Sequence, residues 1–294
     1  MRRCRVGRRW SVLAGALAVA AGSLACTAPA ADVPVPTAAA PAPAGPAPPD
    51  HVVIVVLENK DADTIAAHAP YLTALSGSGT RLTDMHAETH PSQPNYVALY
   101  SGDTHGVHND DCPHTIDAPT LGGELAAAGR SFAGYSEGLP HAGFTGCRSG
   151  DYARKHSPWT NFSTDPPSVN QPLSAMPADY SRLPTVSFVI PDLCHDMHDC
   201  PVSEGDAWLR EHLDGYARWA MTHDSMLLVT FDESESQHDD DNHIATFAVG
   251  QHVPRGTDDE HADHYRLLRT LEDMYGLPPL GHAADTTALS GLWR

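Results

Sequence analysis

The sequence predicts a three-layer α/β/α sandwich around a mostly parallel central sheet. Three observations lead there. Five apolar runs have the length of strands, helical patterns lie between or after them, and three of the runs end in acidic residues. Strands alternating with helices argue for a parallel sheet covered on both faces. Ligands of such sheets bind beyond the carboxyl ends of the strands, so those ends are where function is sought.

The first strand is expected at 51–57, H-V-V-I-V-V-L, a nearly continuous valine-rich run of the kind buried on both faces. The others are S-F-A-G-Y at 131–135, T-V-S-F-V-I at 185–190, M-L-L-V-T-F at 226–231 and I-A-T-F-A-V at 244–249. Helices are expected at 120–128, 203–222 and 264–275, with Ser203 and Asp206 as an N-terminal signal for the second. Residues 136–182 are rich in Gly, Pro, Ser and Asn and read as long loops, suited to a lid over a site.

Before the first strand the composition excludes a core. Residues 2–9 carry five arginines, and residues 12–25 are apolar apart from Gly15, Gly22 and Ser23. That run is too short for a membrane span and has the plan of a secretory signal, with Arg8-Arg9 as a weak twin-arginine element. Residues 1–26 are therefore expected to be a signal peptide. Cys26 closes it as S-L-A-C, a lipoprotein-like processing site, while Ala28-Pro29-Ala30 offers ordinary cleavage and plain secretion. Residues 27–49 hold eight prolines and nine alanines and read as an extended linker. The folded domain is then expected at 50–294.

The full chain carries a net charge of −19. Without its first 25 residues it has 13 basic against 37 acidic side chains, a balance of −24. Such a surface repels nucleic acid and anionic membranes, so any membrane tether is expected only through a lipid on Cys26. Beyond Cys26 lie Cys112, Cys147, Cys194 and Cys200. An even count in an exported chain favours disulfides over zinc ligation. Of the three pairings, Cys194–Cys200 with Cys112–Cys147 is preferred, because the first closes a short loop and leaves the others together.

The strand ends carry the chemistry. The first is followed by Glu58-Asn59, the run at 185–190 by Pro191-Asp192 and then L-C-H-D-M-H-D-C, and the run at 226–231 by Asp232-Glu233. Like charges brought to one edge repel strongly unless a cation lies among them. His195 and His198 in one of these loops add to the case for a divalent metal ion. In H-P-S-Q-P-N-Y at 90–96, Ser92 stands between two prolines, just ahead of a helix-forming V-A-L-Y. Pro94 near a first turn is tolerated. Ser92 either caps that helix or uses its anion-favouring end to attack a phosphate.

Six stretches carry a resemblance: VVIVVLENKDADTI, THPSQPNYVALYSG, PDLCHDMHDCPVSEGDAWL, LLVTFDESE, NHIATFAVG and HYRLLRTLEDMYGLPPLG. In this order, from residue 52 to 281, they resemble the bacterial phosphoesterase family of acid phosphatases and phospholipases C in the alkaline phosphatase superfamily. The resemblance implies an alkaline phosphatase-like fold and Ser92 as a nucleophile that forms a phosphoenzyme. It places a metal on Glu58, Asn59, Ser92, Asp232 and Glu233, with Asn59 suited instead to phosphate oxygens. Asp196, His198, Asp199, His243 and His264 are expected to hold a second metal or the phosphate, and His90 to orient the loop. The segment after Asp232, E-S-E-S-Q-H-D-D-D-N-H, is more acidic than in relatives. The expected activity is metal-dependent hydrolysis of small phosphate monoesters outside the cytoplasm. The alternatives are a phosphodiesterase of phospholipase C type and a metal-binding surface lipoprotein.

Overall fold

A computed structural model describes residues 47–236 and 241–294. The expected signal segment, Cys26 and most of the linker lie outside the described residues. Pro49, at the linker's end, already belongs to the fold, since its carbonyl accepts the Tyr275 hydroxyl at 3.0 Å.

In chain order the elements are β1 (His51–Leu57), α1 (Ala62–His68), α2 (Pro70–Ser76), β2 (Thr80–Leu82), α3 (Ser92–Ser101), α4 (Leu121–Ala127) and β3 (Phe132–Ser136). There follow β4 (Arg148–Ser149), β5 (Tyr152–Ala153), β6 (Asn170–Pro172), β7 (Val186–Ile190), α5 (Val202–Ala220), β8 (Ser225–Phe231), β9 (Thr246–Gly250), β10 (Gly256–Asp258) and α6 (His264–Tyr275). Eight strands form one sheet in the order β10-β2-β9-β8-β1-β7-β3-β6, and β4 pairs with β5 in a small ribbon. All pairings in the large sheet are parallel except those of β9, which runs antiparallel to both β2 and β8. The five expected strands are all present; β2, β6 and β10, toward the two ends of the sheet, are three-residue strands too short to show a pattern.

β1 lies between β7 and β8, and Val52 to Leu57 are all essentially inaccessible, as its unbroken apolar run requires. One helical layer is α5 on β8 and β9 with α1 and α2 beside it; the other groups α3, α4 and α6. In α6 the buried Leu267, Leu268, Leu271 and Tyr275 recur at helical spacing, Asp263 caps the start by accepting from Arg266 N at 2.7 Å, and Gly276 ends it at φ 66°. The expected signal of Ser203 and Asp206 does not cap α5, whose N-cap is Pro201. Asp206 instead reaches across to α2, where its carboxylate accepts from Tyr71 N and Leu72 N, both at 2.9 Å.

The stretch at 136–182 folds into short 3-10 turns and strands; its part at 152–162 packs inward, burying Tyr152, His156, Trp159 and Phe162, while most of the rest is at the surface. Trp159 lies so close to β3 that a Cβ on Gly134 would sit 2.1 Å from its ring, so this position requires glycine. The Arg154 guanidinium ties the stretch together through Thr145 O, Thr160 O and Thr160 Oγ1. Cys112–Cys147 and Cys194–Cys200 are both bonded, in the preferred pairing. They fit an oxidising, extracytoplasmic location. Among the described residues no helix is long and apolar enough to cross a membrane.

Candidate active site

The parallel order places the carboxyl ends of β1, β7 and β8 side by side, and the residues that follow them converge. Glu58 follows β1 and is fully buried; its backbone N–H donates to Asp196 O, in the loop after β7, at 2.9 Å. Asn59 has φ 42°, a left-handed conformation that asparagine tolerates better than most residues. That turn lets its backbone N–H reach Asp232 Oδ1 at 3.0 Å and its amide reach Glu233 Oε1 at 2.8 Å. Asp232 and Glu233, after β8, are both inaccessible to solvent.

Ser92 is the first residue of α3. Its N-cap is Pro91, and the Gln93 N–H at this end is taken by Asp110 Oδ1 at 3.0 Å, so the capping reading of Ser92 does not hold. The Ser92 Oγ instead lies 3.0 Å from Glu58 Oε2, 3.0 Å from Glu233 Oε1 and 3.5 Å from Asn59 Oδ1. Four oxygens meet there, served by the Ser92 hydroxyl proton and by the Asn59 amide, which donates to Glu233 Oε1. Asp232 Oδ2 is buried without any partner. An oxygen-rich nest of this kind suits a hard or borderline divalent cation.

The electrostatics agree with that donor set. Burial drives the Asp232 pKa well above the usual carboxylate range, and the charges of Glu58 and Glu233 push it further. Burial also raises Glu233, against the opposing hydrogen bonds from His90 and Ser92. Carboxylates held this way await a positive partner. The other Glu58 oxygen, Oε1, accepts the Tyr96 hydroxyl at 2.5 Å and lies 3.1 Å from His156 Nε2. Burial keeps the Tyr96 phenol protonated, its pKa well above 10, with the Glu58 charge adding to the effect. His156 stacks on Tyr96 with ring centroids 5.0 Å apart, and burial lowers its pKa to about 4, leaving a neutral imidazole. Its Nδ1 lies 3.5 Å from Asp196 Oδ2. Asp196 is itself pushed up to about 7 by burial. Lys155 binds Asp110 Oδ2 at 2.7 Å; burial works to lower its pKa, but the charges of Glu58 and Asp110 prevail and raise it.

Glu58, Asn59, Ser92, Asp232 and Glu233 are thus brought together, with His90 bonded through Nδ1 to Glu233 Oε2. The expected second group is scattered. Asp196 joins Glu58 and His156. His198 and Asp199 instead pair with each other at 2.7 Å at the surface. His243 points its Nε2 to Thr83 O. His264 is buried with both ring nitrogens committed, Nδ1 to Glu88 and Nε2 to Phe231 O at 2.9 Å. A carbonyl only accepts, so that Nε2 carries a proton and cannot ligate; His264 braces the strand end that presents Asp232. His156, Tyr96 and Lys155 are the site residues that sequence reasoning missed. Tyr96 lies in the serine stretch, beside the resemblance's own motif. Lys155 and His156 sit in R-K-H-S-P-W within a stretch without periodicity, where nothing marks them.

A sequence profile of the phosphoesterase family matches residues 65–278. A phosphatidylinositol-3-phosphatase of Mycobacterium tuberculosis is 46% identical over 248 residues, which cover 83% of this chain and 82% of that protein. A phosphate-repressible acid phosphatase of Penicillium chrysogenum is 32% identical over 252 residues, 79% of this chain; the match spans only 60% of the fungal protein. Among solved structures, a protein in the alkaline phosphatase superfamily from Vibrio parahaemolyticus superposes with a TM-score of 0.57 at 15% identity, over 84% of this chain and 72% of that one. At that identity the likeness shows the fold.

Proposed function

This chain belongs to the phosphoesterase family and is a phosphoester hydrolase, and from that premise we propose that it hydrolyses phosphate monoesters through Ser92 with the help of a divalent metal ion. The observation that carries the proposal is the Ser92 hydroxyl lying 3.0 Å from two buried carboxylates at once. Glu58, Asn59, Ser92, Asp232 and Glu233 would hold the ion, which when bound would acidify the serine hydroxyl and offset phosphate charge.

The chain's own residues then have distinct tasks. Ser92 Oγ gives up its proton to a neighbouring carboxylate and attacks phosphorus; the Oγ–P bond forms as the bond to the leaving oxygen breaks, and that proton passes to the leaving oxygen to give the alcohol. Water later opens the phosphoserine, releases inorganic phosphate and restores the hydroxyl. Ser92 stands at the start of the ten-residue α3, an end that favours an anion and where Asp110 already takes the Gln93 N–H. Lys155 adds a cation beside Glu58. Tyr96 fixes the Glu58 carboxylate from the side away from Ser92 through its hydroxyl on Oε1, with the His156 ring nearby. The names of the relatives favour a monoester, and a phosphoinositide headgroup is the first specific substrate to try. Export from the cytoplasm, with or without a lipid on Cys26, completes the reading.

The test is chelation followed by add-back of single metal ions, with turnover followed on p-nitrophenyl phosphate, bis(p-nitrophenyl) phosphate and phosphatidylinositol 3-phosphate in vesicles. Activity should vanish on chelation, return with an ion, and favour the monoesters. Undiminished turnover after complete metal removal would refute the metal's part. Preference for the bis-ester would move the assignment to phosphodiesterase.

A further inference from the structure

A second cluster of ligand-type side chains stands apart from Ser92 and shares no residue with its pocket. Asp84 and His86 follow β2 with Met85 between them. Met85 is wholly buried, so the alternation of an extended chain leaves Asp84 and His86 on the other, outward face. The backbone here is fixed on both sides. His86 N donates to Ala262 O and Ala262 N to Asp84 O, both at 2.9 Å, and Ile244 N donates to Met85 O at 2.9 Å. This bonding sets His261 and His243 on either side of His86, with ring centroids 5.0 and 5.3 Å away.

Both ring nitrogens of His86 face oxygen acceptors. His86 Nδ1 is bonded to Asp241 O, and a carbonyl has no proton to give, so Nδ1 carries the hydrogen. The other nitrogen, Nε2, faces Asp84 Oδ1 at 2.8 Å, where the carboxylate favours a cation, either a proton or a metal ion. The second oxygen of the same carboxylate, Oδ2, lies 3.2 Å from His261 Nδ1. Two imidazoles thus face one carboxylate, an arrangement that a proton or a metal ion can bridge. A histidine that donates one nitrogen to a backbone carbonyl and aims the other at further ligands has the outer-shell arrangement usual for metal-binding imidazoles. One ligand atom from each of Asp84, His86 and His261 lies within 4.8 Å of the other two, which a single ion can span.

We propose that Asp84, His86 and His261 form a second metal site, at the surface beside β2, that takes a first-row divalent ion such as zinc. One carboxylate and two imidazoles suit that class of ion better than magnesium or calcium. Asp84 is half-exposed and His261 more so, which leaves the ion open to solvent on one side. Its position joins the chain after β2 to the one before α6, two segments otherwise held there by main-chain bonds.

The proposal stands independently of the catalytic reading, and its test can fail separately. Chelated full-length protein and its H86A/H261A variant are dialysed to equilibrium against zinc, and bound metal per chain is counted. The wild type should bind one equivalent more than the variant, and copper loaded into the wild type should show nitrogen coupling from two imidazoles that the variant lacks. Turnover of p-nitrophenyl phosphate should stay within about twofold. Equal zinc in the two proteins would mean that a proton alone bridges Asp84 and His86, and would overturn the site. Loss of turnover together with the extra equivalent would equally overturn it, because these residues would then be feeding the catalytic pocket. Both substituted positions are at or near the surface, and matching far-ultraviolet circular dichroism confirms that the variant folds.

Discussion

Replacing Ser92 with alanine is the sharpest test of the catalytic reading. The substitution removes one oxygen that lies 3.0 Å from Glu58 Oε2 and 3.0 Å from Glu233 Oε1, and removes little else, since the Cβ stays in place. If this oxygen forms the bond to phosphorus, turnover should fall by about 10³ to 10⁶, as when other covalent nucleophiles are deleted. That range corresponds to about 4–8 kcal/mol of barrier. The fold should change far less. A hydrogen bond to a charged group contributes about 1.5–3 kcal/mol, and the two carboxylates keep other partners in Tyr96, His90 and Asn59. Four of the five proposed metal donors remain, so metal content should persist. Steady-state hydrolysis of p-nitrophenyl phosphate, elemental analysis and acid-quenched trapping of phosphoserine with labelled substrate measure all three quantities. A variant with turnover within tenfold of the wild type, or a trapped phosphoenzyme that survives the substitution, would remove Ser92 from the nucleophile's role.

The remaining predictions concern charge and covalent constraint. Glu272 is fully buried, with one oxygen accepting Leu280 N at 2.9 Å and the other unpartnered, and burial pushes its pKa up to about 7. Between pH 4.5 and 7 the folded state keeps a proton that the unfolded chain gives up, so stability falls as pH rises through that window. Glu272→Gln should therefore be more stable than wild type by about 2 kcal/mol at pH 8 and nearly equal to it at pH 4.5, by urea denaturation; a gain that does not depend on pH contradicts this. Asp196, Asp232 and Glu233 are also raised by burial and carry the same sign. Chelated protein should lose melting temperature from about pH 4 to pH 7, and metal add-back should recover the share due to Asp232 and Glu233; a flat profile in the chelated protein speaks against buried, proton-holding acids. Cys112–Cys147 closes a separation of 35 residues and Cys194–Cys200 one of 6. Replacing each pair by serine should cost about 4 and about 2 kcal/mol respectively, and the reverse ranking would show that loop closure is not the main contribution.

Much of this molecule was legible in its sequence because the signals are local. An unbroken run such as Val52 to Leu57 suits only a strand covered on both faces, and β1 is the sheet's central strand. Acids placed directly after apolar runs mark the strand ends, and the cysteine spacing favoured the pairing that forms. Short strands toward the ends of the sheet escaped notice because three residues are too few to establish a period. The stretch at 136–182 looked like loops because its turns are loops by composition. The burial of its part at 152–162 depends on Trp159 lying against Gly134, a contact that neither residue announces.

The sequence by itself determined which residues have the chemistry: a hydroxyl on a stiff turn, carboxylates at strand ends, imidazoles scattered between them. The tertiary structure decided which of these share a pocket. Ser92 and Glu233 stand 141 residues apart, and only the order β8-β1-β7 brings their supports to one edge. The same fold draws His156 in from a patternless stretch, turns His264 to Glu88 and Phe231, and gathers Asp84, His86 and His261 elsewhere. The physical reason is one of range. Helix and strand periodicities fix which way a side chain faces relative to its near neighbours, whereas convergence depends on sheet order and register, which are set by packing between segments distant in the chain.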